Sequence, residues 1–465
     1  MRFNQFVTAL CVLIPLALAN ADVRLPSVIG DRMVLQHGKP INLWGWADPS
    51  ESVTVTLGKT SASTKADADG KWSVALAEQE VNASPQSLTI KGNNEITLKD
   101  ILIGEVWICS GQSNMEWRMT QTDHGKDEIA KANHPGIRLF DVTKHINKPT
   151  PQDDAPGSWQ ICSPASVKGF SAVGYHFGQD LHAKLNVPIG LVGANWGGTR
   201  IEPWTPAVGN AQVESLKGNK SNGGIFNGMV HPLVPFTMRG IIWYQGESNC
   251  LGGDTTIYTD KTLALVKGWR TVFKQDDLSF YFVQIAPFPY KVRFAKRNPK
   301  LTEESLPRFW EAQTACMEAV SNCGMVVVTD ITGNVNDIHP RNKRDVGRRL
   351  ARWALAKNYG KEDVVVSGPL YSSMSVDGGK VALSFDHLGG GLAALDGKPL
   401  THFAVAGKDK KFVDAKATIK GDQVVVQAEG VANPVAVRFG WNEIAVPNFG
   451  SKEGLPASPF RTDDW

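Results

Sequence analysis

The chain offers little to hold a metal or to enter a membrane. It has no Cys-x-x-Cys and no His-Glu-x-x-His spacing, which excludes the usual structural and catalytic zinc sites. Beyond residues 6–18 no segment is long and apolar enough to span a bilayer. Internal repeats and low-complexity tracts are also missing, so neither a solenoid nor an adhesive scaffold is expected. The charge excess is only +3 in 465 residues, too mild to mark a nucleic-acid partner. Six cysteines is a small count for such a length, and a disulfide-built fold is not implied.

What is present begins with a leader. Arg2 precedes the apolar run from Phe6 to Leu18, and Ala19-Asn20-Ala21 follows as a small-x-small cleavage site. This is the layout of a secretory signal over residues 1–21, with Pro15 interrupting any buried helix. The expected location is secreted or periplasmic, with the mature chain starting near Asp22. Its removal takes Cys11 and leaves five cysteines, an odd number, so at least one thiol stays free. Cys316 and Cys323 are spaced to meet across a helix end, although spacing alone does not fix disulfide geometry.

The length exceeds what one hydrophobic core supports, and the pattern changes twice along it. Residues 22–100 read as short alternating strands, among them INLWGW (41–46), SVTVTL (52–57), KWSV (71–74) and SLTI (87–90). That alternation with turn residues between implies an antiparallel β-sandwich. Trp44, Trp46 and Trp72 there are read as core packing in preference to a sugar platform. Residues 101–360 alternate strands and helices: strands at 101–108, 189–194, 240–244, 280–285 and 325–329, helices at 172–185, 258–273, 308–319 and 343–359. Such alternation implies a parallel sheet covered by helices. Residues 121–168 and 287–306 lack periodicity and are expected to be long loops on a cleft rim. From 361 to 465 the β pattern returns. The expected class is therefore multidomain α/β plus β.

The polar residues of the middle segment collect just after its apolar runs. In ILIGEVWICSGQSNMEW (101–117) a doubly buried strand breaks at Ser110-Gly111 and presents Ser113. Open parallel sheets bind ligands outside the carboxyl ends of their strands. A serine there is a nucleophile or, more commonly, a helix cap. Residues 194–204, ANWGGTRIEPW, place Gly197 and Gly198 where backbone N–H groups can approach a substrate oxygen. WYQGESN (243–249) brings the amides of Gln245 and Asn249 and the carboxylate of Glu247 to a third strand end. Near the fourth, Asp337 lies two residues before His339, and Pro340 keeps that histidine out of a regular helix. A nucleophile, a base, an acid and amide donors form the inventory of acyl transfer. Ser113 attacks, His339 takes and returns the proton, Asp337 orients it, and Gly197, Gly198, Gln245 or Asn249 supply the oxyanion hole.

The motifs GQSNMEW, NWGGTRIEPW, WYQGESN and NDIHPRNKRDVGRRLA resemble the four blocks of the sialate O-acetylesterase family within the GDSL-like (SGNH) serine hydrolases. The resemblance reaches LPSVIGDRMVLQ (25–36) and EGLPASPFRTD (453–463), and so covers essentially the whole mature chain. It implies a flavodoxin-like α/β/α hydrolase domain (101–360) between N-terminal (22–100) and C-terminal (361–465) β-domains. It also implies removal of acetyl groups from sugar hydroxyls through Ser113 and His339, with no metal or organic cofactor. One departure stands out: the wider superfamily places its acid three residues before the histidine, where this chain has Asn336. Asp337 is the expected acid, with Glu247 and Asp330 in reserve, and a histidine-only dyad or a carbonyl orienter remains open. Arg200 is a candidate reader of an acidic sugar's carboxylate, against the simpler reading of an internal pair with Glu202 or Glu247.

The expected partner is therefore an acetylated carbohydrate, with neither nucleic acid nor a membrane span involved. Sialic acid is the first expectation and a plant or algal polysaccharide such as xylan or pectin the alternative. A non-catalytic glycan-binding protein is the remote third, since a binder needs neither Ser113 nor His339. Oligomeric state is not readable from the sequence.

Overall fold

The computed structural model describes residues 22–465 apart from 145, 220 and 222. The expected leader and Cys11 lie outside the described residues. The chain opens with β1 (Val34–Gln36), β2 (Ile41–Trp46), β3 (Ser52–Leu57), β4 (Thr60–Lys65), β5 (Lys71–Leu76) and β6 (Asn82–Lys91). In β2 and β3 every second side chain is buried, the period of a strand with one face on a core. β3 pairs antiparallel with β4 and β6, and β2 with β5.

The next strand, β7 (Glu95–Gly111), has two characters. Its first half alternates and pairs antiparallel with β6. From Ile101 onward every residue is buried, as a strand covered on both faces must be. One strand thus serves both the N-terminal β region and the central sheet. Glu105 is a carboxylate inside this apolar stretch, and it is fully partnered. His37 Nε2 lies at 2.5 Å, Arg239 Nε at 2.9 Å and Gln36 Nε2 at 3.0 Å.

Then come β8 (His134–Asp141), β9 (Trp159–Cys162), β10 (Ile189–Asn195), β11 (Gly240–Tyr244), β12 (Ser279–Val283) and β13 (Cys323–Val326). Across the sheet they run β9-β8-β10-β7-β11-β12-β13. All neighbours in this row are parallel except β8 and β9. The helices Ala172–Leu185 and Lys343–Asn358 pack against each other, as do Ile257–Phe273 and Ser305–Ala319.

Two expectations are corrected. Residues 121–168 are not one long loop: they hold the helix Gly125–Lys131 and the strands β8 and β9, an extension of the sheet edge. Cys316 and Cys323 are both free thiols. Cys323 Sγ lies 3.4 Å from the carbonyl oxygen of Cys316, so the thiol satisfies the end of the Ser305–Ala319 helix and does not meet its sulfur.

Past the middle segment lie two four-stranded antiparallel sheets and a strand pair. Their own apolar cluster includes Val381, Leu383, Phe385, Phe403, Phe439 and Phe449. The architecture is a mixed α/β sheet core with further β regions before and after it in sequence.

Candidate active site

Three of the expected motifs meet at one residue. Gly111 ends β7 and stands in register with Asn195 of β10 on one side and Tyr244 of β11 on the other. Its φ is +135°, and a Cβ there would lie 2.2 Å from the Tyr244 carbonyl oxygen. Only glycine lets the backbone turn at this point. The ladder continues one step, with Gln112 N donating to Tyr244 O at 2.9 Å and Trp196 N to Gly111 O at 3.0 Å. Ser113 then opens the one-turn helix Ser113–Glu116.

The fourth motif arrives from the loop before Lys343–Asn358. The Asn342 side chain caps that helix, accepting from Asp345 N at 3.1 Å. Asn114 Nδ2 donates to Ile338 O at 3.0 Å, tying this loop to the serine helix. The result is a hydrogen bond of 2.9 Å between His339 Nε2 and Ser113 Oγ. These groups are 226 residues apart in the chain. Trp117 stacks on the imidazole with centroids 4.6 Å apart and 22° between the rings. Burial, helped by the Lys343 charge and opposed by Asp337, lowers the His339 pKa below its ordinary value. The imidazole is accordingly kept neutral and able to accept a proton.

Among the carboxylates expected to orient it, Asp337 comes nearest. Its Oδ1 accepts from His339 N at 3.0 Å and lies 3.8 Å from Nδ1, an electrostatic contact longer than a hydrogen bond. Glu247 is fully buried, and its Oε1 accepts from Asn114 Nδ2 at 2.5 Å. Burial raises its pKa. Asp330 is held by Arg349 through bonds of 2.7 and 2.6 Å. Asn336 accepts from Arg293 at 3.3 Å.

The amide donors divide. A Cβ at Gly197 would lie 3.2 Å from Ser113 Cβ, so the Gly197 backbone abuts the nucleophile. Its N–H donates to Glu116 Oε2 at 2.6 Å, and Glu116 is held in turn by Lys144 at 3.3 Å. Gly198 follows at φ +75° in open space. Gln245 is buried, its amide spent on Gln112 Oε1, Thr199 O and Asn249 Oδ1. The Asn249 amide donates to Glu202 at 3.1 Å and Asp254 at 2.7 Å. Both side-chain amides are thus committed to this network, and Ser113 is not among their hydrogen-bond partners. Arg200 joins the same network, at 2.9 Å from Glu202 and 3.1 Å from Asp254.

Sequence reasoning missed Glu116, Trp117, Asn114 and Lys343, although all four lie within the quoted motifs. Position beside Ser113 and His339 was the only signal they carried. Among the described residues no group of three or more His, Cys, Asp or Glu side chains could hold a metal ion.

A serine hydroxyl bonded to a neutral imidazole, beside backbone amides at the carboxyl ends of a parallel sheet, has the makings of an acyl-transfer centre. The protein is a carboxylic ester hydrolase. Residues 103–356 match the family described as carbohydrate esterase, sialic acid-specific acetylesterase, and the chain belongs to that family. It is 31% identical to the human sialate O-acetylesterase over 394 residues, covering 76% of this chain and 74% of the relative. The orangutan (Pongo abelii) sialate O-acetylesterase is 28% identical over 492 residues, covering 95% and 93%. Among solved structures, a carbohydrate acetylesterase from Xanthomonas citri superposes with a TM-score of 0.87 at 37% identity. The match covers 96% of this chain and 100% of that one.

Proposed function

We propose that this protein removes O-acetyl groups from sugars, sialic acids first among them, through an acetyl-Ser113 intermediate. The observation that carries the reading is the 2.9 Å bond between Ser113 Oγ and His339 Nε2. As Ser113 Oγ attacks the acetyl carbonyl, His339 Nε2 takes its proton. The carbonyl oxygen becomes an oxyanion beside the backbone N–H groups of Ser113 and Gly197, the latter given up by Glu116 as substrate enters. His339 then protonates the departing sugar oxygen, leaving acetyl-Ser113. Water then attacks this ester and gives its proton to His339, which passes it to Ser113 Oγ as acetate leaves.

Asp337 acts on His339 through its charge and by fixing the loop backbone. Gly198, at φ +75°, lets the chain turn directly after the Gly197 donor. The sheet supports the superfamily reading: counted in chain order, β10-β7-β11-β12-β13 run 2-1-3-4-5, the flavodoxin-like order, once β8 and β9 are set aside as an edge extension. In this reading residues 101–360 carry the chemistry and 22–100 and 361–465 flank it, with β7 crossing the first boundary. Export through the leader at 1–21 belongs to the same proposal.

The test is acetate release from O-acetylated sialic acid, acetylated xylan and acetylated pectin, by the wild type and by Ser113→Ala. Release from the sialic acid, abolished in the variant, is the expected result. Preference for xylan or pectin would move the substrate to a plant polysaccharide, and binding with no release from any of them would make the protein a glycan binder.

A further inference from the structure

Lys343 violates two rules of protein construction at once. It is the first residue of the helix Lys343–Asn358, where the helix dipole disfavours a cation. Its side chain is also completely buried. The ammonium donates to a neutral partner, the side-chain oxygen of Asn114. It lies 5.3 Å from the ring centroid of Tyr244 and 5.7 Å from that of Trp117. Burial lowers its pKa to about 7, against the opposing pull of Glu247 and Asp337. Stability alone gives no reason for such a group, because an unbranched apolar side chain fills similar space without the desolvation cost. Its surroundings do give one. Trp117 is the ring stacked on His339, and Asn114 is the side chain that ties down Ile338, one residue before His339.

We propose that Lys343 is a positioning residue whose buried ammonium keeps His339 unprotonated in mildly acidic solution and, through Asn114, holds the histidine loop against the serine helix. This rests on the reading of His339 as the base. A like charge across a low-dielectric gap makes the imidazolium costlier. The charged groups around His339 are Lys343 and Asp337, and Asp337 is itself faced by Arg341 at 3.9 Å. Around Lys343 stand Glu247 and Asp337, with Tyr244 and Asn114 in contact. As pH falls, Lys343 takes its proton around pH 7. His339 would take one only below its ordinary value, so the ammonium is already charged when His339 begins to titrate. Loss of the tie through Asn114 also lowers the plateau, so the readout specific to the charge is the position of the acid limb, which a purely structural role would not move.

The experiment is the pH profile of kcat/KM on a small acetyl ester, from about pH 4.5 to 8.5. It compares the wild type with Lys343→Met, Lys343→Gln and Lys343→Arg. In the Met and Gln variants the acid limb moves to higher pH, and activity near pH 5 relative to the plateau drops about three- to tenfold. Lys343→Arg restores the wild-type limb. An unmoved limb with a lowered plateau would overturn the proposal and leave the base assignment standing. So would Met and Gln variants that fail to fold beside a folded Arg variant, since Lys343 is then a structural cation. A wild type with no acid limb, or activity surviving His339→Ala, would overturn the base assignment itself.

Discussion

Replacing Gly111 by alanine tests how closely fold and chemistry are joined. The added Cβ would sit 2.2 Å from the Tyr244 carbonyl oxygen, 2.7 Å from its carbon and 2.9 Å from its nitrogen. All three are backbone atoms of the neighbouring strand and cannot swing aside. To reach ordinary contact, β7 and β11 must part by about 1 Å at the point where the serine turn begins, a typical overpacking strain of about 1–3 kcal/mol. Holding alanine at φ +135° adds about 1–3 kcal/mol more. Ser113 is two residues further on, and a displacement of this size at a reacting atom costs on the order of 100-fold in rate. Gly111→Ala is therefore expected to lower the thermal midpoint by several degrees and kcat on a small acetyl ester about 100-fold, with KM less affected. Differential scanning fluorimetry and steady-state kinetics read both. A variant with wild-type midpoint and wild-type kcat would refute the reasoning, because the strand end would then not dictate where the serine stands.

Three further outcomes follow from other contacts. Arg200→Ala leaves Glu202 and Asp254 sharing the Lys261 ammonium and the neutral Asn249 amide. It should cost about 1–2 kcal/mol of stability, allowing for partial exposure, and lower activity equally on acidic and neutral acetylated sugars; a loss confined to acidic ones would make Arg200 a substrate reader after all. Glu116→Gln replaces a charge-assisted bond to Gly197 N–H with a neutral one, roughly 1 kcal/mol weaker. KM for a small acetyl ester should fall about fivefold, and a rise would show that Glu116 does not compete for that donor. Burial holds the pKa of His176 down at about 4, whereas the unfolded chain protonates it near 6.5. Its stability contribution is intact above pH 6.5 and is lost as pH falls toward 4, roughly 3 kcal/mol in all. Denaturant melts of the wild type and His176→Gln at both ends of that window should show the variant losing less on acidification.

The parts of this protein legible in its sequence are those decided locally. The uninterrupted apolar run of β7, the alternation in β2 and β3 and the 3.6-residue spacing of Ala172–Leu185 each announce their own structure. β8 did not, because His134-Pro135-Gly136 opens it with turn residues and Arg138 interrupts it with a charge. Asp100 neutralises that charge from another strand at 2.8 Å, a partner invisible in the local pattern. The same limit applied at the site. Ser113 and His339 sit in places where a core needs no polar group, so they could be singled out from the sequence. Gln245 and Asn249 looked alike as donors, and only tertiary contacts show their amides turned inward. Lys343 reads as a solvated residue in a charged helix start, and its burial depends on Trp117, Tyr244 and Asn114 from two other motifs.

The most direct test of the account is to trap the acyl enzyme. Rapid acid quench during turnover of an acetyl ester, followed by peptide mass spectrometry, should find one acetyl group on Ser113 of the wild type and none in Ser113→Ala. Acetate released with no acetylated Ser113 at any quench time, together with undiminished turnover in Ser113→Ala, would contradict it.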